Sequence, residues 1–292
     1  MIKNYKIILE YDGTKYNGWQ KQGNTDNTIQ GKLEATLSRY FNQEIEIHGS
    51  GRTDAGVHAL GQVANFKINT KLITCNIDLD TLSLMVNLNS YFPEDIRILS
   101  LTEVDSRFHA RLNAKKKTYR YSICLSPKEP VFNRRYCMLL PKDVDLKLMK
   151  EAALSLLGTH DLKGFSDSKT KKSTVRTIES ITFNEETINN DKYIHIDFTG
   201  DGFLYHTIRL ITGTLLSIGL HESNTNIIKE ILSILQKSEN VKYACFQRKI
   251  YTFPHSSCRC APLLTLVSEA LASFRTRTEM TCSCGRRCSA AW

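Results

Sequence analysis

The chain has little that would belong in a membrane or in an oxidising compartment. Its best candidate for a membrane span, residues 203–220, carries a histidine and an arginine, and a charge at that depth argues against a transmembrane helix. The N-terminus lacks the apolar core and the small-residue cleavage site of a signal peptide. Residues 1–244 contain only three cysteines, which is typical of reduced thiols inside a cell. The sequence therefore predicts a cytoplasmic protein with no membrane partner.

Two catalytic signatures are also missing from residues 1–244. The sequence has no cluster of cysteine, histidine and carboxylate residues with metal-ligand spacing. It also has no glycine-rich loop followed by Lys-Ser or Lys-Thr. These absences argue against a metal- or phosphate-dependent hydrolase, and we expect no cofactor and no metal.

Positive charge is in excess, and it is unevenly distributed along the chain. The 292 residues carry 39 Lys and Arg against 30 Asp and Glu, a net charge of +9 that favours an anionic partner. Residues 1–244 hold 32 of the basic and 28 of the acidic side chains, and residues 245–292 hold the other 7 and 2. Local basic patches are therefore more informative than the overall charge.

The segment 245–292 differs from the rest of the chain in composition. It holds six cysteines, no asparagine and no aspartate, and it prefers arginine where residues 1–244 prefer lysine. Three explanations remain open: a zinc-binding module with irregular spacing, a basic low-complexity tail, or an out-of-frame translation product. We therefore treat 245–292 as an atypical Cys/Arg-rich tail.

Periodicity of apolar residues predicts a mixture of strands and helices throughout the remainder. Alternation predicts strands at 5–11, 44–48, 62–68, 96–104, 117–123, 176–183 and 192–198. Helical spacing predicts helices at 29–41, 79–89, 145–157, 204–219 and 225–236, the first with Thr28 as its N-cap. Because neither half shows strict βαβ alternation, the predicted class is α+β, with two mixed domains, 1–104 and 105–244, and largely antiparallel sheets.

A loop between two predicted strands, Gly49–Ala59 (GSGRTDAGVHA), concentrates polar groups of several kinds. Its glycines let the backbone approach a ligand closely. One interpretation makes Asp54 a cap of its own turn, with Arg52 on the surface. The other uses an ionised carboxylate beside a guanidinium as a base or a nucleophile. The crowding of polar groups into one turn favours the second interpretation.

This loop resembles the signature loop of the TruA-type tRNA pseudouridine synthases. The resemblance covers about residues 5 to 240 and implies the pseudouridine-synthase fold. Further segments resemble the family's motifs in the family's order, which a chance match would not produce. They are YDGT (11–14), GWQ (18–20), TIQG (28–31), PEDI (93–96), FHAR (108–111), KTYRY (117–121), GTHD (158–161), VRTI (175–178) and GFLYHTIR (202–209).

The resemblance implies a role for each of four residues. Asp54 would be the catalytic aspartate that starts the breakage of the N-glycosidic bond of uridine. Arg209 would pair with Asp54, although an arginine on a helix can also reach the surface instead. Tyr119 would stack on the target uracil, and its alternative is a tyrosine that faces the core. Arg52 would hold the extruded nucleotide out of its stack.

Basic residues on both sides of Tyr119 suit contacts with RNA phosphates. Arg111 and Lys117 are predicted to bind the substrate in this way, unless the charges form an ordinary solvated face. His58 and His206 are expected to be structural or to contact RNA, since in this family the histidine of the signature loop is not the nucleophile.

The activity implied by the resemblance is isomerisation of uridine to pseudouridine at positions 38, 39 and 40, in the anticodon arm of tRNA, by a homodimer. The alternative is an RNA-binding protein of the same fold that does not catalyse. Family members end with a segment of the A-P-A-x-G-L-x-L type that supplies a final strand. Because 245–292 has no close match to it, we expect that strand to be missing, with an exposed sheet edge and low activity or poor solubility.

Overall fold

The computed structural model describes residues 1–73, 77–167, 172–234 and 265–269. Its first half contains four strands and two helices: β1 (Ile2–Tyr11), α1 (Ile29–Phe41), β2 (Ile47–Gly49), β3 (Ala59–Asn69), α2 (Thr81–Tyr91) and β4 (Ile96–Val104). The rest contains β5 (Lys116–Leu125), β6 (Met138–Leu139), α3 (Leu146–Ala153), β7 (Gly158–Asp161), β8 (Val175–Ile188), β9 (Asp191–Gly200), α4 (Thr207–Gly219), α5 (Ile227–Ile234) and β10 (Thr265–Glu269).

Helix α1 confirms the prediction at both ends. Thr28 caps it, because its Oγ1 accepts a hydrogen bond of 3.2 Å from the backbone N–H of Gly31. The helix ends at Phe41, and the C-cap residue Asn42 adopts the left-handed conformation. One face is buried at intervals of four residues, at Ile29, Leu33, Leu37 and Phe41. This apolar face fixes the helix on the sheet.

The strand predicted at 44–48 is wrong in extent, because the structure has only β2 from Ile47 onward. Side chains of α1 take the backbone groups that a longer strand would use. The N–H of Ile45 donates to Ser38 Oγ at 2.9 Å, and the N–H of Ile47 donates to Glu34 Oε1 at 3.2 Å. The segment before β2 is therefore held by the helix rather than by a neighbouring strand.

The strands form a sheet in the order β4-β1-β3-β10-β5-β9-β8-β7, with β2 beside β3 and β6 beside β5. The pairs are antiparallel except for β10 with β3 and β6 with β5. The predicted mixture of helices with a largely antiparallel sheet is confirmed. The strands of the two halves are joined in one sheet because β10 lies between them.

Strand β10 overturns the expectation that the tail supplies no final strand. Residues 265–269 pair in parallel with β3 and in antiparallel fashion with β5. Without this segment, the facing edges of β3 and β5 would each present unpaired backbone N–H and C=O groups. Because these groups pair with the backbone of a strand, the strand between them does not need the family's A-P-A-x-G-L-x-L sequence. The other proposals made for 245–292, including a zinc module, lie outside the described residues.

Most buried apolar residues fall into two clusters. One is built from elements up to β4, and the other, apart from Val57, from β5 onward. Helix α4 crosses the second cluster, and it begins at Thr207 rather than at the predicted residue 204. No helix in the described ranges is long and apolar enough to cross a membrane. The division into domains near residue 105 stays a prediction.

Candidate active site

A cleft of about 1210 Å³ lies between the two clusters and is lined by both halves of the chain. The first half contributes the signature loop and the β2 strand before it. The second half contributes the start of β5 and the segment that leads into α4. Five of the six predicted site residues line this cleft: Arg52, Asp54, Arg111, Lys117 and Tyr119.

Hydrogen bonds to the backbone of the signature loop fix it on the side of β3. The N–H of Ser50 donates to the carbonyl of Val63 at 2.8 Å, and Gln62 Nε2 donates to the carbonyl of Gly51 at 2.7 Å. The turn closes when the N–H of Val57 donates to the carbonyl of Asp54 at 3.1 Å. The carboxylate of Asp54 is therefore carried by a loop whose backbone groups are hydrogen-bonded to the sheet behind it.

The loop between β1 and α1 holds Thr53 from the other side. The carbonyl of Thr53 accepts from the N–H of Trp19 at 3.0 Å, and its hydroxyl shares a hydrogen bond of 2.9 Å with Tyr11 Oη. Gly18 permits this approach: it has φ +93°, and a Cβ atom there would lie 2.6 Å from the carbonyl oxygen of Thr53. The YDGT and GWQ motifs thus position the residue before Asp54.

Asp54 lines the cleft, and 32% of its side chain is exposed. Burial raises the pKa of the Tyr119 hydroxyl, and the negative charge of Asp54 raises that pKa further. The Tyr119 ring is braced by Phe203, which meets it edge-on with 5.3 Å between ring centroids. The carboxylate and the flat aromatic ring are therefore neighbours, as the resemblance implied.

Arg209 is placed differently from the expectation. Among the described residues, none of the ion pairs joins Arg209 to Asp54, and Arg209 does not line the cleft. Burial raises the pKa of the Tyr121 hydroxyl, and the positive charge of Arg209 opposes that rise, so the guanidinium lies near Tyr121. In the part of the chain that the structure describes, the basic side chain within ion-pair distance of Asp54 is instead His206, which immediately precedes α4.

A group of cations lies on the rim of the same cleft. Burial lowers the pKa of the Lys117 ammonium, and repulsion by Arg111 and Arg176 lowers it further, while Asp201 opposes the effect. Arg52 and Arg111 are exposed. These charges are close enough to repel one another, which is the arrangement expected of a surface that meets a polyanion.

No pattern in the sequence predicted the contact of His206 with Asp54 or that of His206 with Asp167. His206 Nε2 lies 4.0 Å from Asp54 Oδ2, and His206 Nδ1 lies 2.8 Å from Asp167 Oδ2. The GFLYH segment before Arg209 pointed to this region, but the contact spans 152 positions of the sequence, 54 to 206. Within the described ranges, His, Cys, Asp and Glu residues form no group of three that could hold a metal ion.

Comparison with known proteins matches these same regions. A family profile described as tRNA pseudouridine synthase matches residues 7–113 and 152–250. The tRNA pseudouridine synthase A 2 of Bacillus cereus (strain ZK / E33L) is 43% identical over 239 residues, which is 82% of this chain and 93% of that protein. The chain belongs to the tRNA pseudouridine synthase family.

A second relative supports this membership. The tRNA pseudouridine synthase A of Clostridium kluyveri is 38% identical over 256 residues, covering 86% of this chain and all of that protein. A remote likeness to a solved Cbf5-Nop10-Gar1 complex, at 11% identity over 72% of this chain and 54% of that one, has a TM-score of 0.27 and is too weak to define a shared fold. The family's activity is isomerisation of uridine in tRNA to pseudouridine, and the non-catalytic alternative is not favoured by these matches.

Proposed function

We propose that this chain isomerises uridine to pseudouridine in the anticodon arm of tRNA, at positions 38, 39 and 40, with Asp54 as the reactive carboxylate. The observation that carries this proposal is the placement of Asp54 in a cleft, next to Tyr119 and below a rim of cations. The family's reaction detaches the base, turns it and rejoins it to the ribose through C5. A carboxylate, a flat ring and a phosphate-binding rim are the groups that such a reaction needs.

The carboxylate of Asp54 starts the breakage of the bond between the base and the ribose. It either attacks as a nucleophile or stabilises the positive charge that develops on the sugar. The fixed loop is important here, because a catalytic group displaced by about 1 Å can lose about 100-fold in rate. The hydrogen bonds at Gly51, Thr53 and Val57 keep Asp54 in one place.

Tyr119 supplies a surface on which the detached base can turn. Stacking holds a base by its face and leaves it free to rotate in its plane. Phe203 fixes the ring, and burial keeps the Tyr119 hydroxyl protonated, since it raises that pKa. Arg52, which is exposed at the mouth of the cleft, holds the extruded nucleotide out of its stack.

The cations of the rim bind the phosphates around the target. Arg111 and Lys117 line the cleft on the side of β5, close to Arg176. Phosphate contacts fix the position of a nucleic acid without reading its sequence.

We also propose that the protein is located in the cytoplasm and that it acts there as a homodimer. Sedimentation velocity would test the homodimer.

The direct test is release of tritium from tRNA labelled at C5 of uridine. Joining the ribose to C5 expels the hydrogen at that atom, so release reports this chemistry. We expect release by the unaltered protein and none by Asp54→Asn, which keeps the shape of the side chain and removes its charge. Asp143→Asn, at an exposed position outside the cleft, is the matched control and should release tritium at the unaltered rate.

Substrates with a single uridine at position 38, 39 or 40 test the site of modification. Each should lose tritium, and a tRNA with none of these uridines should lose none. Release by Asp54→Asn at the unaltered rate would contradict the role of the carboxylate. Release from uridines elsewhere in the tRNA would contradict the assignment to the anticodon arm.

A further inference from the structure

His206 occupies an unusual backbone position immediately before α4. It adopts φ +64° and ψ 2°, the left-handed conformation, and it makes no side-chain cap to the helix. Non-glycine residues rarely adopt this conformation, and where they do, the cost is often associated with a functional site. Its imidazole lies beside the signature loop, with Nε2 4.0 Å from Asp54 Oδ2.

Asp167 fixes the protonation pattern of this imidazole. Its Oδ2 lies 2.8 Å from His206 Nδ1. An ionised carboxylate only accepts hydrogen bonds, so the proton of a neutral His206 is on Nδ1 and the lone pair is on Nε2. The ring of Tyr205 stacks on the imidazole at 3.7 Å and 26°. Orientation by a carboxylate and stacking by a ring are typical of a histidine that works as a base.

The lone pair of Nε2 faces the reactive carboxylate. Nε2 and Asp54 Oδ2 are 4.0 Å apart, too far for a hydrogen bond between them. An atom of the substrate that lies about 3 Å from the carboxylate oxygen can also lie about 3 Å from Nε2, which is the geometry expected of a nucleophile and a base that serve one reacting centre. With 21% of its side chain exposed, His206 can pass a proton on to water.

We propose that His206 is the base that removes the proton from C5 in the last step of the isomerisation. This assignment rests on the proposed function. Once the ribose is joined to C5, that carbon carries both C1′ and a hydrogen. Nε2 takes the hydrogen as a proton, and the electron pair of the C5–H bond restores the C5–C6 double bond. The pair of the N1–C6 double bond moves onto N1, which takes a proton from water. The imidazolium that forms lies between two carboxylates, Asp167 and Asp54, and loses its proton to solvent.

The variant His206→Asn removes the base and keeps a residue that tolerates the left-handed conformation. We expect single-turnover tritium release to slow by about 100-fold or more, with little change in the dissociation constant for tRNA. A substrate with deuterium at C5 should reveal a primary isotope effect in the variant, because proton removal becomes the slow step. Asp167→Asn should slow release by about 10-fold, since the tautomer is no longer fixed.

The chain offers a closely matched control at the other end of the same helix. His221 also has a positive φ, of 58°, and it is largely exposed, so His221→Gln should release tritium at the unaltered rate. Thermal unfolding followed by circular dichroism should give the same midpoint for His206→Asn and the unaltered chain.

Three results would overturn the assignment. Unaltered release by His206→Asn would exclude the base. A loss confined to tRNA binding would make His206 an RNA contact. A loss in rate with no new isotope effect would make it a structural residue. If the unaltered chain itself releases no tritium, the proposed function fails and the assignment with it, whereas release that depends on Asp54 and not on His206 overturns the assignment alone.

Discussion

The signature loop and the cationic rim of the cleft are built in different ways. On the wall of the first half, the signature loop is held by backbone hydrogen bonds from β3 and from the loop that contains Trp19, and Thr53 is buried. On the rim, Arg52 and Arg111 are exposed side chains. The difference indicates that the loop is sensitive to position and the rim to charge. Substitutions in the signature loop should therefore lower turnover and stability, whereas substitutions on the rim should weaken tRNA binding.

The largest effect is expected at Gly18, which lets the Trp19 loop close on the signature loop. A Cβ atom in Gly18→Ala would lie 2.6 Å from the Thr53 carbonyl oxygen on a backbone with φ +93°. We expect a loss of about 2–3 kcal/mol in the free energy of unfolding and a fall of about 100-fold in kcat. Urea unfolding and tritium release measure these two effects.

Gly23 provides the control for that substitution on the same loop. A Cβ atom there meets nothing within 4 Å, so Gly23→Ala should leave both the urea midpoint and the turnover unchanged. Equal losses in the two alanine variants would show that the loop responds to the loss of any glycine, and the contrast between the loop and the rim would then lose its basis.

A smaller effect is expected at the hydrogen bond between Thr53 and Tyr11. Thr53→Val keeps the shape of the side chain and leaves the buried Tyr11 hydroxyl without its partner at 2.9 Å. The loss should be about 1–3 kcal/mol in stability and about 10-fold in kcat. The double variant Tyr11→Phe/Thr53→Val should recover most of the stability, because removal of both partners is nearly neutral. Additive losses in this cycle, followed by urea unfolding, would mean that the hydrogen bond does not position the loop.

The sequence predicts the parts of this molecule that depend on neighbouring residues. Helix α1, with its cap at Thr28, and strand β4 have the predicted bounds, because periodicity and capping act over a few positions. The loop that carries Asp54 could be recognised for the same reason, since its polar groups and glycines are contiguous.

Contacts between residues that are far apart in the sequence could not be predicted in this way. The contact of His206 with Asp54 involves a residue in the left-handed backbone conformation at the start of α4. No local sequence pattern predicts that conformation for a histidine. Strand β10 forms because β3 and β5 leave facing edges, a property of the folded sheet rather than of residues 265–269. Arg209 was assigned by its motif, whereas its position near Tyr121 of β5 depends on how α4 packs on that strand.

The smallest effect is expected on the rim, where Lys117→Gln should weaken tRNA binding by about 3- to 10-fold and leave kcat unchanged. The slope of the logarithm of affinity against the logarithm of salt concentration should fall by about 1, as for one lost phosphate contact. Lys117→Arg, which keeps the charge, should retain both values, and Lys142→Gln, exposed outside the cleft, should change neither.

The acidity of Lys117 sharpens the same test. Burial and its cationic neighbours lower the pKa of this ammonium, so its charge is present at low pH and is lost, as pH rises, earlier than the charge of an exposed lysine. As the pH rises, the affinity of the unaltered chain for tRNA should therefore begin to fall before the pH reaches about 10.4, the usual pKa of lysine. Lys117→Arg should keep its affinity over the same range, because a guanidinium keeps its proton. Parallel pH curves for the two proteins would show that Lys117 makes no phosphate contact, and the rim would then act through its exposed arginines alone.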